Sequence, residues 1–286
     1  MINLKYKKMN KIIKHKINAK ILLISSILLI AVLVITSCNP DETQTVTTFN
    51  NLVMSDEFDT DGQPNPALWG NWIGTAFNNE LQYYTDRPEN ITIQNGILII
   101  TAKKENFNGS SYTSARIESK GLFEQKYGRF EARMRLPYGK GLWPAFWLLG
   151  ADIDSNPWPN CGEIDIMEYL GDEPTKIFGT VHGPEYSGVQ SISKSYELTN
   201  DRFDTGFHVF GIEWGPKYIN YYVDDVLYNQ ITPDDVPGEW VFDKGPFYII
   251  LNLAVGGDLP GSPNAETVFP QTLLVDYVRV YSNGSN

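Results

Sequence analysis

Beyond residue 48 apolar and polar side chains alternate in short runs, and Gly, Pro, Asn or Asp closes most of them, the pattern of strands joined by turns. In GRFEARMRLP (128–137), Phe130, Ala132 and Met134 alternate with Arg129, Glu131, Arg133 and Arg135, which predicts one packed face and one wet face. FYIILNLAV (247–255) is apolar almost throughout, as a strand between two layers would be. ENITIQ and GILIITAKK meet at Asn95-Gly96, a hairpin turn pair. YTSARIES, KIFGTVHG, HVFGIEWG, YINYYVDD and LLVDYVRVY read as further strands. No helical period appears after residue 40. The expected fold class is all-β, a many-stranded antiparallel β-sandwich of jelly-roll type.

Residues 1–37 break this pattern. Lys5, Lys7, Lys8, Lys11, Lys14, Lys16 and Lys20 precede an apolar run over residues 21–35, followed by Thr36-Ser37-Cys38. A basic segment ahead of a short apolar one reads as an export signal, and about 15 apolar residues fall short of the roughly 20 a membrane-spanning helix needs. Ile-Thr-Ser-Cys resembles the lipobox of bacterial lipoproteins, in which the leader is cleaved before a cysteine that then carries lipid. The expected organisation is a signal peptide over 1–37, a tether over 38–48 lipidated at Cys38, and one domain over 49–286. The product would be an exported, monomeric, membrane-anchored lipoprotein, periplasmic or at the cell surface.

Removing the leader changes the electrostatics. Of 23 basic residues 16 then remain against 34 acidic ones, a balance of −18. That field repels nucleic acid and slows the capture of sulfated or uronic polymers, so a neutral partner is favoured. Cys161 has no mate once Cys38 carries lipid, which leaves no disulfide and makes Cys161 a small buried residue.

The chemistry concentrates in GEIDIMEYLG (162–171), where Glu163, Asp165 and Glu168 stand among apolar residues. Burying unpaired carboxylates is costly, so three together point to a metal cage or to a reaction that needs them. In a regular strand Glu163 and Asp165 share a face and Glu168 points away; in a helix Glu163 and Asp165 lie on nearly opposite sides. One extra residue at Ile166 or Met167, a β-bulge, returns Glu168 to the side of the other two. The two glutamates then have Cα atoms roughly 13 Å apart at ~3.3 Å per residue, close enough for their carboxyls to converge to the 5–5.5 Å or so of retaining glycosidases.

EIDIME, with GLWPAFWLLG (141–150), NNELQYYT (78–85), YTSARIES (112–119), TVHG (180–183) and ILNLAVGG (250–257), resembles glycoside hydrolase family 16 in its bulged form, toward the laminarinase-like endo-β-1,3-glucanases. The resemblance runs over residues 50–282. It implies a curved sandwich with an open cleft on its concave sheet, Glu163 as nucleophile, Glu168 as acid/base and Asp165 as the assisting carboxylate. It further implies Trp143 and Trp147 as sugar platforms, His182 beside the acids, and Arg116 on the non-reducing side. Asn78 and Glu80 would lie along the same cleft and Trp240 beyond the cleavage point. The residues alone leave core packing open for the tryptophans, a surface salt bridge for Arg116 and a structural role for His182. Asn252 reads as a partner for buried backbone groups, and His208 as structural.

The resemblance also implies one structural Ca²⁺, away from a catalysis that needs no cofactor, held by Glu57, the Gly96 carbonyl and Asp276. Oxygen ligands suit that ion, and the two carboxylates read equally well as solvated charges at strand ends. β-1,3-Glucan is the first expected substrate and mixed-linkage β-1,3/1,4-glucan the second. The rivals are a hydrolase of agar, porphyran or carrageenan, and a noncatalytic glucan-binding surface lipoprotein.

Overall fold

The computed structural model describes residues 49–284. The leader, Cys38 and the tether lie outside the described residues. In chain order the strands are β1 (Asn51–Asp56), β2 (Gly70–Asn71), β3 (Gln82–Tyr84), β4 (Ile91–Gln94), β5 (Ile97–Phe107), β6 (Ser110–Ser114), β7 (Arg116–Glu118), β8 (Glu124–Gln125) and β9 (Gly128–Arg135). They continue as β10 (Leu142–Gly150), β11 (Glu163–Tyr169), β12 (Lys176–His182), β13 (Ile192–Glu197), β14 (His208–Gly215), β15 (Tyr218–Val223), β16 (Val226–Ile231), β17 (Phe247–Val255) and β18 (Gln271–Ser282). Two short 3₁₀ turns, Gly188–Gln190 and Pro233–Asp235, are the helical elements among the described residues.

Two sheets form a jelly-roll sandwich. One runs β16-β15-β14-β9-β18-β5-β6-β3, with β1 on β18 and β4 on β5; the other runs β13-β12-β11-β10-β17-β7-β2, with β8 on β17. Every pair is antiparallel except β3 with β6. The core lies between the sheets, where Phe130, Ala132 and Met134 of β9 and Val278 and Val280 of β18 meet Phe146 and Leu148 of β10 and Ile249, Leu251 and Leu253 of β17. Burial of each large side chain there contributes about 1.5–3 kcal/mol. β17 is buried along its whole length, because its outward Tyr248 and Ile250 join Leu149 and Cys161 in a second apolar cluster with Trp147.

Three strand readings change. YTSARIES is not one strand: the chain leaves the larger sheet after Ser114 and joins the smaller at Arg116, turning at the fully buried Ala115. The outer face of β9 is not uniformly wet, since Glu131 is 7% exposed. Arg129 Nε donates to it at 2.8 Å, and Arg279 stands opposite on β18. Asn252 does not serve backbone groups; its side chain joins two aromatic residues, as described below.

Candidate active site

β11 starts after Gly162, whose φ of +81° and close neighbours exclude a side chain, because a Cβ there would lie 2.8 Å from Val241 and 2.9 Å from Phe247. Along β11 the partners on β10 are Leu149 for Glu163, Trp147 for Asp165, Phe146 for Met167 and Ala145 for Glu168. On the other edge Asp165 faces Thr180 and Glu168 faces Phe178, so Ile166 and Met167 together oppose Gly179 alone. That is the bulge the acidic pattern requires. Ile164, Ile166 and Met167 are buried in the core, while the three acids share the opposite face.

His182 stands across from Glu163 on β12. Its Nε2 lies 3.2 Å from Asp165 Oδ2 and 3.6 Å from Glu163 Oε1, and its Nδ1 accepts the Gly188 backbone N–H at 3.1 Å. An accepting Nδ1 places the proton of the neutral ring on Nε2, facing the acids. Glu163 also bonds the Trp158 side chain, whose ring centre is 6.0 Å from that of His182. Glu168 accepts from Trp143 Nε1 at 3.1 Å and from Thr180 Oγ1 at 3.3 Å.

Burial raises all three carboxyls. Glu163 is pushed up to about 8 by burial first and then by the Asp165 charge. Asp165 is raised well above the usual carboxylate range by burial and by Glu168, and Glu168 is raised by burial against the opposing pull of His182, Trp143 and Thr180. The cluster therefore retains protons at a pH where exposed carboxyls have lost them.

A row of polar and aromatic side chains continues across the same face onto β10, β17 and β7. Trp147 Nε1 donates to Asn252 Oδ1 at 2.7 Å, and Asn252 Nδ2 donates to the Tyr84 hydroxyl at 3.3 Å. Tyr84 in turn donates to Glu80 at 3.2 Å, and Gln82 donates to Glu80 at 2.6 Å. Arg116, 7% exposed, lies over the rings of Trp72 and Trp147 at 4.8 and 4.9 Å and pairs with Glu118 at 3.2 Å. Its salt bridge is thus half-enclosed by tryptophans and not a surface pair.

Of the residues singled out from sequence, Glu163, Asp165, Glu168, Trp143, Trp147, His182, Arg116 and Glu80 come together in this row. Asn78 is exposed at its end, hydrogen-bonding Glu80 through its side chain and accepting the Asp258 N–H at 2.8 Å. Trp240 packs edge-on against Phe242, ring centres 4.8 Å apart, and leans on the core. Sequence reasoning passed over Trp72, Trp158, Gln82, Tyr84 and Thr180. The period-two run Glu80, Gln82, Tyr84 was a usable signal for two of them; Trp72 and Trp158 sit in loops, where no period marks a face.

Glu163, Asp165 and His182 place ligand atoms within 4.8 Å of one another, the composition of a metal site. The Gly188 bond to Nδ1 argues against that use, because it gives the nitrogen facing the acids a proton in place of a lone pair. The two carboxylates expected to hold calcium are engaged by arginines. Arg279 bonds both Glu57 oxygens, at 2.9 and 2.8 Å, and Arg133 holds Asp276 at 2.5 Å. For Glu57, Gly96 and Asp276 to hold the ion, Arg279 would have to leave Glu57 and Asp276 would have to turn its second oxygen to the metal while Arg133 keeps the first.

A family model for Glycosyl hydrolases family 16 matches residues 78–277, which include all three acids and most of the row. The chain belongs to glycoside hydrolase family 16. Among similar proteins, a β-glucanase from Rhodothermus marinus is 43% identical over 242 residues, 80% of this chain and 84% of that protein. Two solved structures superpose closely. An endo-β-1,3-glucanase from Pyrococcus furiosus has a TM-score of 0.77 at 49% identity, covering 81% of this chain and 94% of its own. The laminarinase catalytic domain from Thermotoga maritima has a TM-score of 0.78 at 46% identity, covering 82% and 99%.

Proposed function

We propose that this protein is a retaining endo-β-1,3-glucanase acting on laminarin-like glucan. The observation that carries the reading is the bulge at Ile166-Met167, which puts Glu163, Asp165 and Glu168 on one face beside a row of tryptophans. The laminarinases and glucanases among its relatives support the same substrate class.

In the first step the Glu163 carboxylate attacks the anomeric carbon while Glu168 gives its proton to the departing glycosidic oxygen. This leaves the sugar esterified to Glu163 and Glu168 ionised. In the second step Glu168 takes a proton from water, the water oxygen bonds the anomeric carbon, and the ester breaks with the β configuration restored. Burial and the Asp165 charge raise Glu163 to about 8, so a proton carried by Asp165 between the two glutamates removes that charge and favours the Glu163 carboxylate that attacks. His182 turns its Nε2 toward Asp165 and Glu163, and its pull opposes the burial that raises Glu163 and Glu168. Trp143 and Trp147 offer flat apolar surfaces to sugar rings, and Trp143 also orients Glu168. Arg116, Glu80 and Asn78 extend the polar side of the track. Trp240 is assigned a contact at its far end that replacement by Ala would expose as a rise in KM.

The test is to incubate residues 49–286 with neutral and sulfated polysaccharides and follow the products by NMR. Short β-1,3-glucan products that first appear as the β-anomer are expected; first release of the α-anomer, or no cleavage of any glucan, overturns the reading. Glu163→Ser and Glu168→Ala should each lose several orders of magnitude in turnover with the fold retained.

Lipidation at Cys38 and anchoring of the exported protein belong to the same proposal. Fatty-acid labelling should tag the wild type and not Cys38→Ser, and the variant should leave the membrane fraction. For calcium, the arginine pairs at Glu57 and Asp276 lead us to expect an unchanged Tm on EDTA treatment; a drop restored by Ca²⁺ would place the ion there in exchange for the guanidinium groups.

A further inference from the structure

The bulge does more than turn Glu168. Opposite it, Gly179 has no room for a side chain, since a Cβ would lie 2.3 Å from the Tyr228 hydroxyl and 2.6 Å from the Tyr221 ring. Tyr221 belongs to β15 in the other sheet and is fully buried. Through the space that Gly179 leaves, its hydroxyl donates to the Thr180 backbone oxygen at 2.9 Å. Thr180 is therefore gripped from beneath by the opposite layer.

On its outer side Thr180 touches the acid. Its hydroxyl, on a residue 3% exposed, lies 3.3 Å from Glu168 Oε2 and 2.9 Å from the Ser193 hydroxyl of edge strand β13. A hydroxyl has one proton to donate and lone pairs to accept with. When Glu168 is ionised, Thr180 donates to it and accepts from Ser193. When Glu168 is protonated with no sugar bound, Glu168 donates to Thr180 and Thr180 donates to Ser193; a bound glycosidic oxygen then takes that proton, and Thr180 turns back to donate to the carboxylate left behind. Both states keep every hydrogen bond satisfied, and the exposed Ser193 passes the reversal on to solvent.

We propose that Thr180, anchored by Tyr221 and backed by Ser193, is a positioning residue whose hydroxyl reverses its hydrogen bond as Glu168 alternates between acid and base. This rests on the assignment of Glu168 as the acid/base. Thr180 and Tyr221 do not themselves exchange protons with sugar or water in either step. Burial presses Glu168 toward its protonated form, and the Thr180 bond, stronger when it is donated to the charged carboxylate than when it is accepted from the neutral acid, opposes that pressure, so losing the hydroxyl should let Glu168 keep its proton to higher pH.

The test is the pH dependence of kcat and KM on a soluble β-1,3-glucan for the full domain and its variants. Thr180→Val is expected to lower kcat roughly 10- to 100-fold with KM within about twofold, and to move the alkaline limb upward. Thr180→Ser should restore both. Tyr221→Phe should lower kcat roughly 3- to 10-fold, and Thr180→Val/Tyr221→Phe should be no slower than Thr180→Val alone, because the tyrosine acts through the threonine. An unmoved alkaline limb in Thr180→Val, or losses that multiply in the double variant, overturns the proposal. Full turnover in Glu168→Ala would instead remove the acid/base assignment, and this inference with it. Thr180→Ser keeps the hydroxyl at the loss of one methyl and Tyr221→Phe removes a single oxygen, so both report even if the valine variant folds poorly.

Discussion

Glu163 illustrates how a single side chain can trade stability for chemistry. Its carboxyl is raised to about 8 in the fold, against an ordinary glutamate in the unfolded chain. The stability tied to it is present in full below the unfolded pKa and is lost as pH rises toward and through 8, while the unfolded chain has already released its proton. Asp165 and Glu168 shift in the same direction. Glu163→Gln should therefore abolish turnover, match the wild type in Tm near pH 5, and exceed it at pH 9. A gain of one or two kcal/mol would appear as about 2–8 °C in thermal melts. A variant that melts below the wild type at pH 9 would contradict the burial that raises this group.

The bulged β11 and its partner β12 form a unit in which one glycine fixes the geometry. Gly179→Ala should lower Tm by about 2–12 °C, since overpacking of a well-filled interior costs about 1–3 kcal/mol, and should lower kcat as well, because Tyr221 and Thr180 must shift together. A melt and a rate assay on one preparation check both. Farther along the chain, the β15–β16 turn at Asp224-Asp225, both in the left-handed region, is tied to β14 by His208, whose Nδ1 lies 2.7 Å from Asp224. The Asp224 bond raises the His208 pKa; in Asp224 burial works upward, but the His208 bond prevails and lowers it. The histidine's contribution to stability is lost as pH rises through its raised folded value, and the aspartate's as pH falls through its lowered one. Asp224→Asn should flatten the decline in urea stability between pH 6 and pH 8. The order of most strands could be read from period-two runs and turn residues, and the bulge could be read because regular alternation would have turned Glu168 toward the core. The change of sheet at Ala115 could not, because an alanine between two strand segments is ordinary in either sheet. Nor could the Tyr221–Thr180 contact, which exists only once the two layers are stacked.

Charge acts over the molecule as a whole. The row of the candidate site sets the carboxyls of Glu80, Glu118, Glu163, Asp165 and Glu168 against Arg116; the raised acids among them shed their protons late, and the chain around them carries an overall balance of −11. A sulfated polymer would meet this field at long range and again at contact, whereas a neutral glucan meets only the contact chemistry. Turnover of laminarin should stay within about twofold between ~20 and ~500 mM NaCl, where charge effects are screened to different extents. Carrageenan should go uncut throughout, and efficient cutting of it would require a local cationic patch. The pairing of β1 with β18 has a different consequence. Asn51 lies opposite Ser282 and donates to its hydroxyl at 3.0 Å, so the first and last strands of the domain close on each other like a clasp. A short linker could make that closure covalent and the polypeptide could be reopened at the Asn108-Gly109 hairpin tip, yielding a circular permutant in which the same sandwich is threaded from a new starting point.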